Sequence, residues 1–136
     1  MVFVNLPITD IAWARAFYEG TGFLSNPLFS DDKALCAVVS DTIFLRVLKQ
    51  EIFTTFITRP LADPSQTASA LFALSRESKA AVDAITAATL AHGGSEPRPI
   101  PDPGCTCSRA FCDPDGKWFE TMWMDPAAAQ GGPPPA

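Results

Sequence analysis

The chain has 136 residues, 47% of them apolar and 18% charged, with a formal net charge of −5. That length suits a single domain with a buried core, and the composition excludes a disordered or fibrous chain. The 10 Lys and Arg residues are scattered, so no basic stripe is offered to a nucleic acid, and no apolar run reaches the ~20 residues a membrane-spanning helix needs.

In chain order, Val2 to Pro7 reads as a short apolar strand. Asp10 suits a helix N-cap, because its carboxylate can accept first-turn backbone N–H groups. Ile11 to Gly20 then carries Ala14, Phe17 and Tyr18 at helical spacing, and Gly20 and Gly22 close it. An edge segment is expected near Phe23 to Phe29, followed by strands Ala34 to Val39 and Thr42 to Leu48 joined across Ser40-Asp41. Arg59 to Thr67 has the Pro, Asp, Ser and Gln content of a linker.

Ala70 to Leu74 predicts another strand, and Ser78 to Ala91 an alanine-rich helix ended by His92-Gly93-Gly94. A proline-laden stretch from Glu96 to Pro103 leads into a hairpin, Thr106 to Cys112 and Lys117 to Met124, turning at Asp113 to Gly116. Both halves therefore run strand, helix and about three strands, a repeat of pattern without repeated sequence. The class is α+β, with one domain over 1–126, modules at about 2–58 and 68–125, and a flexible Pro/Gly/Ala tail at 127–136. With no export signal at the start, a cytoplasmic location is expected. The four cysteines, Cys36, Cys105, Cys107 and Cys112, then read as reduced thiols, mostly small buried hydrophobes.

Two motifs stand out: Asp113-Pro114-Asp115-Gly116-Lys117-Trp118-Phe119-Glu120, and Leu6-Pro7-Ile8-Thr9-Asp10 followed by Ala16-Phe17-Tyr18 and Gly22-Phe23. With the duplicated element order they resemble the vicinal-oxygen-chelate superfamily, which holds glyoxalases, bleomycin-resistance proteins and extradiol dioxygenases. The resemblance covers Val2 to Asp125. The ending Phe119-Glu120-Thr121-Met122-Trp123-Met124-Asp125-Pro126 is similar to a subgroup often labelled lactoylglutathione lyase. It implies two paired β-α-β-β-β modules whose sheets curl around a cleft, and a two-fold homodimer. It also implies a divalent metal on side chains from the first and last strands of each module. The corresponding positions here are Phe3, Leu45, Ser69 and Glu120. Phe and Leu cannot ligate a metal and Ser is a poor ligand, so Glu120 is the one retained position and no metal cofactor is expected.

A four-residue turn would set Arg109 opposite Glu120, with Phe111 opposite Trp118 and Met122 alongside. Such a pair is either a structural salt bridge or a polar anchor at the floor of an apolar pocket. Strand alternation adds Phe3, Asn5 and Val47 to the expected cleft face, beside Leu45 and Ser69. The single His, His92, is expected at a helix end in solvent and not at a metal. Three functions are compatible with these residues. The first is metal-free binding of a small apolar or aromatic molecule. The others are a metal-dependent lyase or dioxygenase of the same superfamily, and a non-catalytic dimeric scaffold.

Overall fold

The computed structural model describes residues 1–97 and 106–129. In the first half, strand β1 (Val2–Ile8) leads into helix α1 (Ile11–Gly20), followed by β2 (Leu24–Ser25), β3 (Ala34–Val38) and β4 (Ile43–Lys49). A helical turn, α2 (Gln50–Phe53), starts the connection to the second half. There β5 (Leu71–Ser75), α3 (Lys79–Ala91), β6 (Thr106–Cys112) and β7 (Trp118–Met124) precede a last helical turn, α4 (Pro126–Ala129).

Both helices begin where a side chain can satisfy the first-turn donors. Asp10 accepts from Trp13 N at 3.0 Å, and Ser78 accepts from Ala81 N at 3.0 Å. The chain leaves α3 through Gly94, whose N–H donates to the Thr89 carbonyl at 3.0 Å. A Cβ at Gly94 would lie 2.5 Å from the Cys112 carbonyl oxygen, so only glycine fits this crossing.

The two sheets repeat one topology. In the first, of order β1-β4-β3-β2, β1 runs parallel to β4 and the other neighbours are antiparallel. In the second, of order β5-β7-β6, β5 runs parallel to β7 and β6 antiparallel. The sheets curl around a cleft without closing. Beyond β6 the described residues contribute only the Ser95–Cys112 bridge, so the second sheet shows two strands after its helix where about three are expected. Cys105 and the prolines at 99, 101 and 103 lie outside the described residues, as do 130–136 of the expected tail.

α1 packs on the first sheet, α3 on the second, and the helices meet each other. One core results, built from Ile8, Phe17, Tyr18, Leu35, Leu45 and Val47 of the first half and Ile85, Phe111 and Phe119 of the second. Phe111 and Phe119 stack at 5.2 Å between ring centroids, and Tyr18 meets Phe119 edge-on at 6.3 Å. These rings join the two modules through contacts that favour offset or edge geometry.

Candidate ligand-binding cleft

The Asp113-to-Lys117 turn of the second module is hydrogen-bonded to the first. Tyr18, fully buried on α1, donates its hydroxyl to Asp113 Oδ2 at 2.8 Å. Lys117 Nζ lies 3.3 Å from Asp113 Oδ2 and 3.4 Å from Asp115 Oδ2. Asp115 also accepts from the Thr9 hydroxyl at 2.5 Å, just before α1. Burial first, and then the charge of Asp113, push the Tyr18 phenol well above its ordinary value. A proton therefore stays on the group that donates. Gly116 adopts φ 98°, and a Cβ there would sit 3.0 Å from the Pro64 carbonyl, so the turn lies directly against the inter-module connection.

This tether frames a cleft of about 300 Å³. Asn5 and Pro7 of β1 form one wall, Phe72 and Trp118 of the second sheet another, and Ile57 and Leu61 of the connection a third. Ser69 and Lys117 add polar atoms to a mainly apolar lining. Of the residues expected at the site, Asn5, Ser69 and Trp118 line this cleft. The stretch Arg59 to Thr67, which reads as a linker, supplies Pro60, Leu61, Ala62, Pro64 and Thr67 to the lining. Nothing in a Pro- and Ser-rich string says which way it folds back.

Arg109 and Phe111 lie elsewhere because the hairpin register differs from the expected one. Asp113 N donates to the Lys117 carbonyl at 3.0 Å, so the loop proper is Pro114-Asp115-Gly116, with three residues where four are expected. This is the three-residue hairpin whose last member takes the left-handed conformation. The one-residue difference moves every pairing, because side chains alternate with period two. Ala110, not Arg109, is the partner of Glu120, and Arg109 falls opposite Thr121. Arg109 forms its ion pairs on the helix side, with Glu96 at 2.6 Å and Asp83 at 2.9 Å. Glu96 first, then Asp83, push its pKa further up. Phe111 pairs with Phe119 and is core, not cleft.

Glu120 itself is half-buried and accepts from the Ser108 hydroxyl at 2.7 Å. Trp118 and Met122 share its face by alternation. In the first sheet, Phe3 and Asn5 pair with Phe44 and Arg46, so Leu45 and Val47 point to the opposite, helix-covered face and are fully buried core. Both faces of β4 are largely apolar, which hides the parity from a reading of the strand alone.

Arg46 is absent from the residues expected at the cleft. Its signal is the one that marks Glu120, a single charge inside an apolar strand. Its Nε is buried, and among the described residues no hydrogen bond or ion pair holds its guanidinium.

The donor set does not fit the divalent metal that the sequence resemblance implies. Phe3 stacks on Phe44 at 5.0 Å, Leu45 is in the core, Ser69 is at the rim of the cleft, and Glu120 is bonded to Ser108. Among the described residues no three His, Cys, Asp or Glu side chains come together. His92, exposed at the end of α3, donates Nδ1–H to the Ala88 carbonyl at 2.8 Å. Burial pushes the Cys36 and Cys112 thiols up, away from nucleophilic character.

No protein-family model and no curated protein matches the chain. Solved structures do. A glyoxalase-related enzyme from Fulvimarina pelagi is 21% identical, with TM-score 0.75 over 90% of this chain and 86% of that one. A glyoxalase/bleomycin resistance protein/dioxygenase family enzyme from Burkholderia phytofirmans is 17% identical, with TM-score 0.71 over 90% and 96%. A lactoylglutathione lyase from Agrobacterium tumefaciens is 19% identical, with TM-score 0.64 over 90% and 92%. The chain has the glyoxalase/bleomycin-resistance fold. Among the described residues no helix is long and apolar enough to cross a membrane.

Proposed function

We propose that the protein binds a small, largely apolar molecule in the cleft between its modules, without a metal, as a single-domain cytoplasmic homodimer. The observation that carries this reading is the 300 Å³ cleft lined by Pro7, Leu61, Phe72 and Trp118, with only a few polar groups at its rim. Small-molecule sites have this character, an apolar body with sparse orienting polar atoms. The residues at the metal positions favour binding over metal-assisted chemistry, because they include a stacked phenylalanine and a core leucine. Exposed Leu24 and Leu28 supply an apolar surface for a second copy.

The test is thermal denaturation of metal-stripped protein with Zn, Ni, Mn, Fe(II) or Mg, followed by a panel of small apolar and aromatic compounds. The reading expects no response to any metal and a rise in Tm with members of the panel. A metal-dependent rise that disappears in Glu120→Ala would replace it with the lyase or dioxygenase reading. A flat response to metals and compounds alike would leave the dimeric scaffold.

A further inference from the structure

We propose that the concave face of the first sheet recognises an aromatic carboxylate, with the anion held by Arg46 and Asn5 and the ring against Phe3 and Phe44. This rests on the cleft-binding reading and extends it to the sheet face that adjoins the cleft at Asn5. Asn5 belongs to both regions, since it lines the cleft and pairs with Arg46 across β1 and β4.

The charge is the starting point. Arg46 is half-buried, its Nε is sealed from solvent with no acceptor among the described residues, and an arginine cannot shed its charge to escape that cost. Its cross-strand neighbours are Asn5 on one side and Cys36 on the other. By alternation the face also carries Phe3, Phe44 and Val38, and among the described residues no acidic side chain shares it. Among the described residues, this cation is left unanswered on an apolar surface.

The number of cations selects the anion. One guanidinium and one amide match a planar monoanion through paired N–H donors, whereas a phosphate dianion would need more positive charge than a chain of net charge −5 gathers here. The surroundings select the body. Phe3 and Phe44 lie one same-face step from Asn5 and Arg46, about 6.6 Å along the strands. That is the reach from a carboxylate to the far side of its aromatic ring. Phe29 meets Phe3 edge-on at 5.6 Å and extends the platform.

The experiment titrates the full chain with naphthalene-2-carboxylate, its neutral carboxamide and inorganic phosphate by calorimetry. Wild type should bind the acid at least about tenfold tighter than the amide and should not bind phosphate. That ratio should fall to near one in Arg46→Gln and persist in part in Arg46→Lys. Equal binding of acid and amide by wild type would overturn the inference and leave cleft binding standing, and this comparison needs no variant to fold. Binding of phosphate in place of the acid would overturn the assignment of the anion. Binding of neither aromatic probe would remove the inference and weaken the cleft reading with it. A fall in oligomer mass in Arg46→Gln, with the acid-to-amide ratio unchanged, would mean that an acidic group of a second copy answers Arg46, and would also overturn it.

Discussion

Tyr18 carries the most consequence for a single atom in this fold, because its hydroxyl joins α1 to the turn of the other module. Replacing it with Phe removes one buried donor to Asp113, and chemical denaturation should report a loss of about 1–2 kcal/mol. The same residue sets an alkaline limit. A phenol whose folded pKa is raised contributes stability that is intact below the unfolded value of about 10 and is lost as pH rises from there toward the folded one. Wild-type stability should therefore fall by up to about 1.4 kcal/mol per pH unit in that window. Tyr18→Phe should lack this component, and denaturation midpoints between neutral and strongly alkaline pH would show it. Gly116→Ala should cost about 1–2 kcal/mol, since it forces a side chain into φ 98° and against the Pro64 carbonyl. No loss on urea unfolding would mean that the turn relaxes away from the connection.

Among the elements, the β6–β7 hairpin decides which residues can act together. Its register puts Arg109 with Glu96 and Asp83, and Glu120 with Ser108. A double-mutant cycle reads this directly. Arg109→Ala and Glu96→Ala should couple by up to about 1 kcal/mol, a partly exposed ion pair, whereas Arg109→Ala and Glu120→Ala should be additive within about 0.5 kcal/mol. Substantial coupling in the second cycle would restore the four-residue turn. The motif Asp113-Pro114-Asp115-Gly116 announces a hairpin unmistakably, and the left-handed glycine at its end is legible too. Which residues it sets opposite one another is not, because Asp113 and Lys117 serve equally as loop residues or as a final pair. Their backbone bond, supported by Lys117 N donating to Asp113 Oδ1 at 2.9 Å, settles the choice.

For the whole molecule, the single core shared by both modules implies one cooperative transition. Phe119→Ala, which opens a void between Tyr18, Phe72 and Phe111, should cost about 3–5 kcal/mol and lower the thermal midpoint of both halves together. Two separated transitions would show that the modules fold independently. The same scale governs ligand linkage. A compound that occupies the cleft at 100-fold above its Kd should stabilise the protein by about 2.7 kcal/mol, a shift of several degrees for a chain of this size.

The local chemistry of this chain reads directly from its residues. Asp10 and Ser78 cap helices because short oxygen side chains reach orphaned N–H groups, and Phe17 and Tyr18 are core because helical spacing puts them beside Ala14. The repeated order of strand and helix, with the two motifs, points to the fold itself. Residues that share a face across non-adjacent strands are a different matter. Asn5 and Arg46 are 41 positions apart and meet only because β1 and β4 run parallel in one register. Leu45 and Val47 belong to the core by that same register. Side chains alternate with period two, so a pairing shift of a single residue exchanges cleft for core. Local sequence does not encode that shift when both faces of a strand are apolar. Tertiary packing of the helices on one face of each sheet decided it, and with it the residues that face the cleft.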